Sequence, residues 1–100
     1  MQEFEELKYV QSFIFFDGKS LIREFIDQTG CKISFGFMLK GKFIWKATGI
    51  EKFSIFSGEA IFIYEDIKIS VKAGDNITIP DSVEFIVEVV SDLDYRCDYD

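Results

Sequence analysis

A chain of 100 residues suffices for one domain that buries roughly 60–70% of its unfolded surface, and 48% hydrophobic content excludes a disordered polymer. The net charge of −7 argues against a general nucleic-acid binder and against a protein drawn to anionic membranes, since both need a basic footprint. With no histidine, imidazole acid–base catalysis, the usual serine and cysteine triads and histidine-ligated metal centres all drop out.

Residues 1–12 read as an N-terminal arm, or as a weak amphipathic turn or two of helix built on Phe4, Leu7, Lys8 and Val10. Three glutamates stand where a signal peptide would need a basic start and an apolar middle. No apolar run approaches the roughly 18 residues of a membrane-spanning helix. From residue 13 to 100 the pattern is that of a single domain made of short strands.

"SLIREF" (20–25) puts Leu21, Arg23 and Phe25 on one face. "KISFGFML" (32–39) separates Ile33, Phe35, Phe37 and Leu39 from Lys32, Ser34, Gly36 and Met38. "KGK" (40–42) reads as a turn into "FIWK" (43–46), which predicts a hairpin over 32–46. "FSIFS" (53–57) and "AIFIY" (60–64) flank Gly58-Glu59, a second hairpin signal. "IKISV" (67–71) alternates cleanly and "KAGD" turns into "NITIP". "EFIVEVV" (84–90) and "YRCDY" (95–99) are expected as two strands joined by the polar turn "SDLD". Strands at this spacing predict a sandwich or barrel.

"AGDNITIPDSVEF" (73–85) has a glycine, five residues and a proline, as in the second motif of cupins. Those barrels place a metal-binding histidine five positions after the proline, where this chain has Phe85. Cys31 and Cys97 match no metal-ligand spacing and read as free thiols of a reducing compartment. The acidic stretches "EDI" and "DLD" look like solvated turns, and the single glycines of "SGEA" and "KAGD" form no phosphate loop.

Several stretches together resemble the small cupin-like pyrimidine/purine nucleoside phosphorylases. The resemblance rests on "FFDGK" (15–19) with Phe25, the Ser34-x-Gly36-x-Met38 strand and "KGKFIW". It continues through Glu51 ahead of "FSIFSG", Ala73-Gly74 with Pro80 and Phe85, and the closing Tyr95-x-Cys97-x-Tyr99. It spans residues 13–99. The chain departs from the family pattern at Ile50-Glu51, where Pro–Glu is common, and at Asp98, where an arginine is frequent.

The resemblance implies an all-β fold, a single cupin-like antiparallel barrel of jelly-roll type, without metal or organic cofactor. It implies phosphorolysis of purine and pyrimidine nucleosides to free base and ribose 1-phosphate, with inorganic phosphate as co-substrate. It also implies a cytoplasmic homodimer whose partners are nucleosides and phosphate, not nucleic acid or membrane.

Such chemistry needs a cation or amides for phosphate, a carboxylate for ribose hydroxyls and an aromatic surface for the base. Lys32 is the candidate for phosphate, with Ser34 donating a hydrogen bond and Gly36 and Met38 on the same face leaving room for ligand. A solvated lysine at the start of a strand is the plain alternative. Glu51 is the candidate catalytic carboxylate on the ribose hydroxyls, or else a turn cap. Phe43 and Trp45 share a face and either stack a base or fill the core. Tyr95, with Tyr99 beside it, offers hydroxyls to the same cavity or simply fills the barrel. Arg23 and Arg96 read as surface charge. Two competing functions remain: a metal-free cupin module binding a small polar ligand without chemistry, and a filled barrel serving only as a structural dimer.

Overall fold

The protein is described by a computed structural model over residues 5–100. Eight strands carry the fold: β1 (Leu7–Phe15), β2 (Ser20–Asp27), β3 (Lys32–Met38), β4 (Gly41–Lys46), β5 (Glu51–Tyr64), β6 (Ile67–Lys72), β7 (Asn76–Ile79) and β8 (Glu84–Tyr99). The described residues contain no helix, and the candidate helical stretch from Leu7 onward is β1. Phe4, counted in that stretch, lies outside the described residues. Every pairing is antiparallel.

The spine of the molecule is the pairing of the two longest strands, β5 and β8, from Glu51↔Tyr99 to Ile63↔Ile86. Both bend midway. The register slips around Ser57 and Glu59, and Gly58 sits there at φ +90°, a conformation that disfavours any side chain. A Cβ at Gly58 would collide with the carbonyl oxygen of Asp92 on β8. The bend therefore needs glycine twice over, for its dihedral and for the close approach of backbone.

Below the bend, β8 pairs with β3, which continues to β2 and β1, while β5 pairs with β7. Above it, β8 pairs with β4 and β5 pairs with β6. The two halves face each other as a cupin-like sandwich that does not close into a complete barrel, since β1 and β6 remain edges of the sheet. Phe53, on the lower half, meets Phe62 and Phe85 of the upper half at ring separations of 5.1 and 5.9 Å. These rings pack with Val87, Leu93 and Ile79 in the buried core.

Three local expectations change. Residues 32–46 are not a hairpin: β3 and β4 lie on different stretches of β8 and do not pair with one another. Gly58-Glu59 makes a bulge within one strand, because β8 runs alongside both segments and keeps them in line. Likewise "SDLD" lies inside β8, not between two strands. A sixteen-residue strand simply turns the corner there.

The faces of β2 and β3 run opposite to ordinary amphipathic patterning. Ser20, Ser34, Gly36 and Met38 are buried, whereas Phe37 and Leu21 stand partly exposed on the outside. Phe35 lies on this outer face between Phe25 and the guanidinium of Arg96. Arg96 is held there by Glu5 at 2.7 Å through two nitrogens and by Asp98 at 2.7 Å. Arg23 lies over the rings of Tyr9 and Phe25. Both arginines thus belong to the outer surface.

Candidate functional site

The small-residue face of β3 opens a cavity of about 210 Å³ on the inside of the lower half. Phe13 and Phe15 of β1 form one wall, and Ile22 and Glu24 of β2 continue it. Lys32, Ser34 and Met38 bring β3 to the cavity, and Tyr95 and Tyr99 bring β8. Trp45 and Lys46 close it from β4, and Thr48 and Glu51 from the loop entering β5. Phe53 and Phe85 complete the lining.

Six of the eight residues singled out in the sequence meet here: Lys32, Ser34, Met38, Trp45, Glu51 and Tyr95. Gly36 lies directly beneath Tyr95, whose ring and hydroxyl occupy the space a Cβ would need. Phe43 does not reach the cavity wall. It is buried, and with Trp45 it receives the ring of Phe16 at 5.1 and 5.0 Å. The position where cupins carry a metal ligand holds Phe85, fully buried against Phe53 and Phe62. Among the described residues no cluster of acidic or cysteine side chains is arranged to hold a metal ion.

The polar groups of the cavity form two sets. In the first, the Lys32 ammonium sits 3.2 Å from Glu24 Oε1 and 4.2 Å from the centre of the Tyr99 ring. Tyr99 Oη and Ser34 Oγ are hydrogen-bonded at 2.9 Å. Glu24 Oε2 accepts a hydrogen bond from the Gln11 amide at 2.6 Å. That bond and the lysine hold the Glu24 carboxyl below the usual carboxylate range, so it stays ionised.

The second set centres on Glu51, which is only 7% exposed. Its Oε2 accepts from the Thr48 backbone N–H at 2.9 Å. Desolvation raises its pKa, against the hydrogen bond from Thr48 and the more distant charge of Lys32. The loop that presents it is anchored by Gly49 N–H donating to Asp81 and Asp100 N–H donating to the Ile50 carbonyl. Burial likewise pushes the hydroxyls of Tyr95 and Tyr99 and the thiol of Cys97 well above their ordinary values, so all three remain neutral donors.

Aromatic rings fill the other side. Trp45 is met edge-on by Phe15 at 5.4 Å and by Phe16 at 5.0 Å. Its indole nitrogen is buried without a hydrogen-bond partner among the described residues. Phe16 takes φ +53°, unusual for a bulky side chain, and its packing between Phe43 and Trp45 sustains that strain.

Sequence reasoning missed Glu24, Lys46, Thr48 and the pair Phe13 and Phe15. Glu24 alternates with Arg23 and Phe25, and the more apolar face drew attention although the other one faces inward. Lys46 lines the cavity and forms no ion pair among the described residues.

A pocket set inside a bent antiparallel sheet gives the protein a cupin-like fold, and comparison of folds agrees. A cupin superfamily protein from Desulfitobacterium hafniense superposes with a TM-score of 0.70 at 15% identity, covering 90% of this chain and 82% of that one. A protein of unknown function from Acinetobacter sp. ADP1 superposes at 0.88, with 22% identity and 98% coverage of both chains. Within that class the sequence is decisive. The model of the pyrimidine/purine nucleoside phosphorylase family matches residues 10–99, and the chain belongs to that family. Proteins called pyrimidine/purine nucleoside phosphorylase are 32% identical in Geotalea daltonii and 29% identical in Geobacter sp. strain M21. The alignments cover 99% of this chain and 98% and 99% of those relatives.

Proposed function

We propose that the protein catalyses phosphorolysis of purine and pyrimidine nucleosides over a broad range of bases, releasing free base and ribose 1-phosphate. The observation that carries this reading is the meeting of Lys32, Ser34 and Glu51 with aromatic walls in one cavity.

Lys32 and Ser34 hold phosphate beneath the sugar, where it stabilises the developing oxocarbenium ion and then attacks C1′. Glu51 faces the ribose and accepts from its hydroxyls. Trp45, with Phe13 and Phe15, supports the base through its π-face, which every base possesses; this accounts for breadth of substrate. Tyr95 over Gly36, and Met38, shape the sugar end. Phe43 acts through Phe16, whose ring it shares with Trp45. Phosphate is a co-substrate, and no cofactor enters the scheme.

We also propose a homodimer acting in the cytoplasm. Exposed apolar side chains on the outer sheet and at its edge support the dimer, among them Tyr9, Ile14 and Phe56.

The test is incubation of purified protein with uridine, inosine, adenosine, guanosine and xanthosine, with and without phosphate, followed by assay of free base. Phosphate-dependent release from both purine and pyrimidine nucleosides is expected. Folded protein that releases base from none of the five leaves the non-enzymatic ligand-binding module as the better account.

A further inference from the structure

Lys32 does not stand alone. Its ammonium is 3.2 Å from Glu24 Oε1, so an anion that reaches Lys32 must also meet a carboxylate. Only 13% of the Glu24 side chain is exposed, and solvent screens it weakly. Gln11 fixes its other oxygen at 2.6 Å, which keeps the carboxylate from swinging away. A carboxylate offers about four lone-pair directions, and the two neighbours use two of them. Spare acceptor capacity beside an anion site has a specific use: it accepts a hydrogen bond from an anion that still carries a proton and repels one that does not.

We propose that Glu24 is the specificity-determining residue for the anion at Lys32, admitting a protonated tetrahedral oxyanion and rejecting sulfate. The proposal rests on the reading that Lys32 holds phosphate. Hydrogen phosphate and hydrogen arsenate present an O–H to Glu24 while their charged oxygens face Lys32 and Ser34. Sulfate, of nearly the same size, is fully deprotonated at neutral pH and turns a charged oxygen toward the carboxylate. Sites that hydrogen-bond a substrate hydroxyl discriminate strongly against analogues lacking it. The same arrangement explains why an anion site tolerates a carboxylate within bonding distance of its cation.

The experiment is calorimetric titration of the protein with phosphate, arsenate and sulfate at pH 7, without nucleoside, for wild type, E24Q and K32A. Expected are similar affinities for phosphate and arsenate, with sulfate weaker by at least about tenfold. E24Q, nearly isosteric and uncharged, brings sulfate within about threefold of phosphate. Q11A, which frees the carboxylate to move, narrows the gap part of the way. Should E24Q not fold, Q11A and the wild-type ratio decide the matter.

Equal wild-type affinity for sulfate and phosphate overturns the proposal, as does discrimination that survives in E24Q. Lys32-dependent binding without discrimination removes the role of Glu24 alone. Absence of anion binding, or binding unchanged in K32A, overturns the placement of phosphate itself and the proposal with it.

Discussion

The hydroxyl of Ser34 on β3 lies 2.9 Å from that of Tyr99 on β8, and the Tyr99 ring lies 4.2 Å beneath the Lys32 ammonium. One tyrosine thus orients the serine and supports the cation. Tyr99→Phe keeps the ring and removes the bond, at an expected cost of about 1 kcal/mol in stability. Ser34→Ala removes the hydroxyl proposed to donate to phosphate. Because hydrogen bonds to charged groups are stronger, KM for phosphate is expected to rise about tenfold or more while KM for nucleoside changes little. Initial rates at varied phosphate and fixed nucleoside measure this directly.

Glu51 gives a pH signature. Its folded pKa is raised by desolvation, so the native state binds its proton more tightly than the unfolded chain does. The contribution to stability is present below the unfolded value and is lost as pH rises through the folded one. Glu51→Gln retains an acceptor for the Thr48 N–H without the charge. The variant is therefore expected to have a higher Tm than wild type at pH 7, with the gap closing as the buffer is taken down through pH 4. A gap that widens toward acid contradicts the assignment.

Gly36→Ala places a Cβ where the Tyr95 ring and hydroxyl now lie. Tyr95 is 3% exposed and cannot retreat without disturbing Phe53, 5.4 Å away between ring centres. A loss of about 1–3 kcal/mol is expected from this overpacking. Shortening the tyrosine in the pair Gly36→Ala, Tyr95→Leu is expected to recover part of it, as read by urea denaturation.

Gly58→Ala meets backbone instead of a side chain. The left-handed dihedral and the Asp92 carbonyl both oppose the new methyl group, so destabilisation beyond about 1 kcal/mol is expected. No change on β8 short of moving its backbone relieves it. Failure of double substitutions at Asp92 to rescue Gly58→Ala is the check, because the obstructing atom belongs to the main chain.

Much of the site was legible because strand alternation is local: Lys32, Ser34, Gly36 and Met38 share a face whatever the strand pairs with. Which face turned inward was not. In β2 and β3 the rings lie outside, where Phe25 and Phe35 pack on each other, Phe25 under Arg23 and Phe35 under Arg96, and the serines and Glu24 lie inside. A reading that equates apolar with inward overlooks Glu24. The false hairpin at Gly58-Glu59 has another cause. A glycine within a long strand looks like a turn until the partner strand is known, and the partner of Gly58 lies more than thirty residues away, at Ser91 and Asp92. The family match covers the site, yet Lys46 carries no local signal that distinguishes it from Lys42, a residue outside the cavity.

The bent β5–β8 spine also sets the order in which the chain can assemble. Its strands pair from Ile63↔Ile86 out to Glu51↔Tyr99, so its contacts join residues far apart in sequence and the loop to be closed lengthens toward Tyr99. The β1–β2 hairpin is local in sequence, joined by the short turn at Phe16-Asp17-Gly18; it pairs with β8 through β3, packs Phe15 on Trp45 of β4, and is tethered ahead of β1 by the Glu5–Arg96 ion pair. The cavity wall bearing Phe13 and Phe15 is therefore the part of the molecule that can unfasten on its own, on a timescale independent of global unfolding. In hydrogen exchange its amides should trade with solvent long before those of β5 and β8 do.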